Sequence, residues 1–114
     1  MMQITPQQRL VLAVEDIDFR KGMDALIGLC RKNLTDPFSG TVFAFRNRKR
    51  TAVRLLVYDG TGFWLCTKRF SRGKLNYWPA SPDERVCATT LMIILNQGSP
   101  GRLTPSWRPL PASA

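Results

Sequence analysis

Residues 41–78 read TVFAFRNRKRTAVRLLVYDGTGFWLCTKRFSRGKLNYW, and this stretch decides the fold. Apolar runs recur at Thr41–Phe45, Val53–Tyr58, Phe63–Phe70 and Leu75–Trp78. Each has the length of a strand and is rich in β-branched, aromatic or aliphatic residues. The separators are Asn47–Thr51, Asp59–Gly62 and Ser71–Gly73. Connections that short join only antiparallel neighbours, so the runs predict a β-meander.

Working outward, Leu10–Val14 reads as one further short, buried strand. Asp16 and Asp18 offer N-cap oxygens for a helix starting near Phe19. Its apolar positions Phe19, Met23, Leu26, Ile27, Cys30 and Leu34 share one helical face. Asp36-Pro37-Phe38-Ser39-Gly40 is a turn, since Pro37 forbids helical continuation. Downstream, Pro79 closes the last strand and Ser81-Pro82-Asp83-Glu84 has the form of a capping box. The helix it opens runs to about Asn96, with Gly98 as its C-terminal cap and Val86, Cys87, Thr90, Leu91, Ile94 and Leu95 toward the core. The expected fold is α+β, order β-α-β-β-β-β-α: a mostly antiparallel meander of about five strands with two helices against one face. It forms a single domain over residues 1–98. Residues 99–114 form a tail whose prolines at 100, 105, 109 and 111 exclude regular helix or central strand.

The chain has 114 residues and a formal net charge of +9, with 44% hydrophobic residues. That length suits one modest core, and the charge favours a polyanionic partner. Cys30, Cys66 and Cys87 are odd in number, widely spaced and accompanied by no histidine, so no zinc site is expected. Each lies in an apolar segment, which predicts buried free thiols. No secretory leader is read, and the longest apolar run, Leu91–Leu95, is too short to span a bilayer.

The charge is clustered. Between Arg46 and Lys74 lie Arg46, Arg48, Lys49, Arg50, Arg54, Lys68, Arg69, Arg72 and Lys74, against the single acid Asp59. In a meander, the turn after Phe45 and the turn after Phe70 fall at the same end of the sheet. The two basic clusters then form one patch suited to a phosphate backbone, with DNA ahead of RNA as the ligand. The plain reading is a solvated sheet face. Trp64, Trp78 and Phe63 could stack on unpaired bases, but core positions fit them better. No recognition helix is evident, so sequence-specific readout is not expected.

Catalysis finds little support. Asp16, Asp18, Asp24, Asp36 and Asp59 invite a metal-nuclease reading, yet each has a local role at a helix start, a wet helix face or a turn. There is no histidine base, no nucleophile elbow and no phosphate-binding glycine loop. The expectation is a non-enzyme with no cofactor, no metal and no small-molecule substrate.

Several segments in order resemble one family. They are Asp18-Phe19-Arg20-Lys21-Gly22-Met23-Asp24, Asp36-Pro37-Phe38-Ser39-Gly40, Val42-Phe43-Ala44-Phe45-Arg46-Asn47-Arg48, Tyr58-Asp59-Gly60-Thr61-Gly62-Phe63, Lys68-Arg69 and Trp78-Pro79. The set resembles the Orf2-like (TnpB) accessory proteins of the insertion sequence sixty-six family of bacterial transposable elements. It covers most of residues 10–80 and returns weakly at Trp107-Arg108-Pro109. The resemblance implies a role in transposition beside a separate transposase, in the bacterial cytoplasm. The first hairpin tip departs from the family's usual Gly-Asp pair and reads Arg48-Lys49-Arg50-Thr51.

Two functional classes follow. The first is an accessory protein that binds element DNA through the basic hairpin surface and assists the transposase. The second is a module that docks on the transposase without touching DNA. Arg20, Lys21, Trp107 and Arg108 are the candidate partner contacts.

Overall fold

Alternation along the strands settles what each face of the sheet carries. The computed structural model describes residues 9–33, 36–81 and 86–99. The elements are β1 (Leu10–Leu12), α1 (Met23–Asn33), β2 (Val42–Arg46), β3 (Ala52–Tyr58), β4 (Phe63–Arg69) and α2 (Ala88–Leu95). The strands form a four-stranded sheet in the order β1-β2-β3-β4. Because side chains point to opposite faces in turn, Phe43, Phe45 and Leu56 face one way with Leu26 and Cys30 of α1. Val42, Ala44, Val53, Leu55 and Val57 face the other way, with Leu91 and Ile94 of α2. Each of the larger buried side chains contributes roughly 1.5–3 kcal/mol of hydrophobic stabilisation.

The α+β class and the three hairpin-linked central strands match the sequence reading. Among the described residues the sheet is mixed, with four strands and not five. β1 pairs parallel to β2, in register Leu10↔Val42, while β2–β3 and β3–β4 are antiparallel. α1 makes the long crossover that a parallel pair requires.

Leu75–Trp78 is not a strand. Gly73 takes φ 69°, and the chain turns off the edge of β4 onto the α2 face. There Leu75 and Trp78 are buried, and the Trp78 indole N–H donates to the Ala13 carbonyl at 2.7 Å. This crossing carries the chain to the side opposite α1. The helices therefore cover opposite faces of the sheet, and the expected single helical face is corrected.

Both helices start later than expected. Asp18 does not cap α1: its carboxylate takes the backbone N–H and guanidinium of Arg20, making a turn before the helix. The first helical bond runs instead from Leu26 N–H to the Gly22 carbonyl. Val86 and Cys87 lie outside α2, with Cys87 extended at φ −103°, ψ 174°, so Ser81 is not its cap. Pro82–Arg85, the rest of the capping box, lie outside the described residues, as does the tail from Pro100. α2 ends in a Schellman motif, with Gly98 N–H bonded to the Ile93 carbonyl and Gln97 N–H to the Ile94 carbonyl. The left-handed position falls on Gln97, φ 63°, one residue before the expected Gly98.

Candidate nucleic-acid interface

Asn47 shapes the β2–β3 turn. Its side-chain carbonyl accepts the backbone N–H groups of Thr51 and Ala52 at 2.9 and 3.2 Å, and its amide donates to the Thr51 hydroxyl at 2.8 Å. The turn thus has a fixed form, with Arg48 and Lys49 exposed at its tip. Arg50 sits in the left-handed region at φ 61°, where a glycine is the usual choice.

The segment after β4 returns to this turn. Phe70 N–H donates to the Thr51 carbonyl at 2.9 Å, and Leu75 N–H donates to the Arg50 carbonyl at 2.8 Å. The end of α2 holds the same segment from the other side. The Gln97 side-chain amide donates to the carbonyls of Arg72 and Lys74 at 2.7 and 3.2 Å. An added Cβ at Gly73 would come within 3.2 Å of that amide nitrogen, so glycine suits both the turn and the staple.

The result is a crown of cations at one end of the sheet: Arg48, Lys49 and Arg50 on one loop, Arg69 at the end of β4, and Arg72 and Lys74 on the loop that follows. Their side chains make no hydrogen bond or ion pair with other described residues. The one ion pair among those residues is Asp18–Arg20, at 2.8 Å. The same-end geometry expected from the sequence holds, although the second loop is a turn onto the α2 face and not a hairpin.

Three other cations of the basic stretch are structural. Arg46 is half-buried at the foot of the crown, with Nη1 donating to the Asn47 carbonyl. Its Nε is buried with no hydrogen-bond partner among the described residues. Burial and the nearby Arg50 charge push its pKa down, while Asp16 opposes them. Arg54 lies against the turn that precedes α1: it donates to the Thr67 hydroxyl and the Lys21 carbonyl, and its guanidinium sits 4.6 Å from the Phe19 ring centroid. Lys68 donates to the Leu95 carbonyl at 2.6 Å, at the negative end of the α2 dipole.

Of the candidate partner contacts, Arg20 is bound by Asp18 and Lys21 is exposed beside it. Trp107 and Arg108 lie outside the described residues. The roles of Asn47 and Gln97 were not read from the sequence. An Asn opening a hairpin turn carries a local signal, whereas Gln97 acts across the fold and carries none.

Asp18, Asp36 and Asp59 are committed locally. Asp36 accepts the Phe38 N–H. Asp59 accepts Thr61 N–H, the Thr61 hydroxyl and Gly62 N–H on one oxygen and the Trp64 indole N–H on the other, which holds its pKa at about 2. Among the described residues, no three Cys, Asp or Glu side chains stand close enough to hold a metal ion, and no helix is long and apolar enough to cross a membrane. The cysteines are free, but only Cys30 is fully buried; Cys66 is half-buried and Cys87 is exposed at the start of α2, correcting the expectation of three buried thiols. A groove of about 710 Å³ runs beside β1, lined by Leu10, Leu12, Val14, Ala25, Leu29 and Val86 among others.

A family model described as "IS66 Orf2 like protein" matches residues 8–98. Two proteins of Sinorhizobium fredii, y4jC and y4hO, both described as uncharacterized proteins, are similar to this chain. The first is 36% identical over 84 residues, covering 67% of this chain and 72% of its own length. The second is 32% identical over 74 residues, 64% of either chain. No solved structure matches.

Proposed function

The chain belongs to the IS66 Orf2-like family, and from that premise we propose that it is a non-catalytic accessory protein of transposition that binds element DNA through its cationic crown. The observation that carries this reading is the crown itself. Arg48, Lys49, Arg50, Arg69, Arg72 and Lys74 converge on one end of the sheet, hydrogen bonds fix the loops that bear them, and no carboxylate among the described residues pairs with them.

Unpaired cations held close together repel one another. A polyanion removes that repulsion and releases its own counterions on binding. Loops already ordered lose little conformational entropy when they engage it. Phosphate contacts position a protein without reading sequence, so the crown supports binding with little sequence preference. Its place would be to hold element DNA for a separate transposase encoded by the same element.

A titration of labelled duplex DNA by fluorescence polarisation tests this. The wild-type chain binds at micromolar concentration or tighter in low salt, and the Arg48→Ala/Lys49→Ala/Arg50→Ala variant binds at least about tenfold more weakly. No binding by the wild-type chain in low salt sinks the reading.

A second reading, docking on the transposase without DNA contact, has its own observation. Phe38, Trp64 and Met92 are 45%, 45% and 48% exposed. Phe38 lies at the end of the sheet remote from the crown, edge-on to Tyr58 and Phe63 with ring centroids 5.0 and 5.2 Å away. On this second reading, Phe38→Ala weakens binding to the transposase and the crown variant does not.

A further inference from the structure

The location of the aromatic rings bears on which form of nucleic acid the crown takes. Proteins that hold single strands combine a basic track with rings on which successive bases stack. Among the described residues the rings have other positions. Phe43, Phe45 and Trp78 are buried in the two cores. Phe19 lies under Arg54, and Tyr77 packs on the α2-face core. Tyr58, Phe63, Phe38 and Trp64 sit at the far end of the sheet, where Trp64 is tied to Asp59. Among the described residues the ring nearest the crown is Phe70, which packs against the α2-face core with the Lys68 ammonium 5.8 Å from its centroid.

The crown's loops are also stiff. The Asn47 side chain braces one and the Gln97 side chain the other, and backbone bonds at Thr51–Phe70 and Arg50–Leu75 join them. A rigid array of charges is matched by a ligand whose phosphates also hold fixed positions. Its attraction then depends on charge density, which is higher along a duplex than along a single strand.

We infer that the crown selects double-helical DNA over single-stranded DNA, gripping the phosphate backbone and leaving the bases stacked. This rests on the DNA-binding reading above. With about six phosphates neutralised, log K falls with log salt at a slope near −5 on a duplex, and near −4 where a single strand makes the same contacts.

The test uses the full-length chain and one labelled oligonucleotide, alone and annealed to its complement, titrated by polarisation over a series of salt concentrations. The expected result is duplex binding about tenfold tighter or more in low salt, with the steeper slope. A Phe70→Leu variant that melts like the wild type is expected to bind duplex with unchanged affinity. Single strands bound as tightly as duplex, or a Phe70→Leu variant that loses single-strand binding selectively, overturn the inference and leave DNA binding intact. If neither form binds, the DNA-binding reading fails, and this inference with it.

Discussion

The backbone N–H of Leu75 donates to the carbonyl of Arg50 at 2.8 Å, although the two residues lie on separate loops. This bond, with that of Phe70 to Thr51, sets the spacing between the two halves of the crown. Leu75 is in turn anchored, with its side chain 5% exposed in the core beneath α2. The positions of the surface cations are therefore inherited from the hydrophobic core by way of a few loop hydrogen bonds.

Removing the braces without removing charge should weaken the crown. Asn47→Ala deletes three side-chain hydrogen bonds of the first loop. Gln97→Ala deletes two that hold the second and keeps a non-glycine residue at φ 63°. Each is expected to cost about 1–3 kcal/mol in urea unfolding. Each should also lower duplex affinity several-fold at unchanged net charge. Unchanged affinity for both would show that ordering of these loops does not matter for binding.

The cores set the scale of stability. Phe43 is fully buried between β2 and α1, and Phe43→Ala is expected to destabilise by about 3–5 kcal/mol. Trp78→Phe keeps much of the apolar contact but strands the Ala13 carbonyl, at a cost of about 1–3 kcal/mol. Chemical denaturation followed by circular dichroism measures both.

Acid should loosen the two carboxylate-built turns. Hydrogen bonds from Thr61, Trp64 and Gly62 hold Asp59 at about 2 against an ordinary value of 3.8. Hydrogen bonds from Arg20, with the charges of Arg20 and Lys21, hold Asp18 at about 2 as well. A carboxyl group with a depressed folded-state pKa stabilises fully above its unfolded value, and that contribution is lost as pH falls through the folded one. The melting temperature should therefore drop between about pH 4 and pH 2. Asp59→Asn should reduce that drop, and a drop of equal size in the variant would remove Asp59 as its source.

The three thiols should separate by reactivity. Burial pushes the Cys30 thiol up to about 11. Cys87 is exposed at the start of α2, and hydrogen bonds from the Thr90 side chain and backbone push its pKa down. Because the thiolate is the nucleophile, brief alkylation near pH 8 should label Cys87 first and Cys30 last, as read by peptide mass spectrometry. Equal labelling would mean that the native chain opens faster than it reacts.

Much of this architecture could be read locally. The apolar runs of Val53–Tyr58 and Phe63–Phe70, with a short turn between them, are enough to place β3 and β4 side by side. The same logic put the loops after Phe45 and Phe70 at one end. Leu75–Trp78 misled because its apolar residues suit a strand and a core-crossing segment equally; the turn at Gly73 decides between them. The parallel pairing of β1 and the opposite placement of the helices depend on contacts remote in sequence. Composition could not divide the cations into exposed and structural ones. Arg54 and Lys68 differ from Arg69 only in having Phe19 and the Leu95 carbonyl within reach.

On the DNA-binding reading the crown cations hold the duplex, while Arg46, Arg54 and Lys68 support the fold. The most direct test is the slope of log K against log salt for duplex DNA. It compares the wild-type chain with Arg48→Ala/Lys49→Ala/Arg50→Ala and with Arg54→Met. The expected result is a wild-type slope near −5, a loss of about one unit of slope for each crown cation removed, and an Arg54→Met protein that is less stable but keeps the wild-type slope. Equal slopes for the wild type and the triple variant, or a slope lowered by Arg54→Met alone, would contradict it.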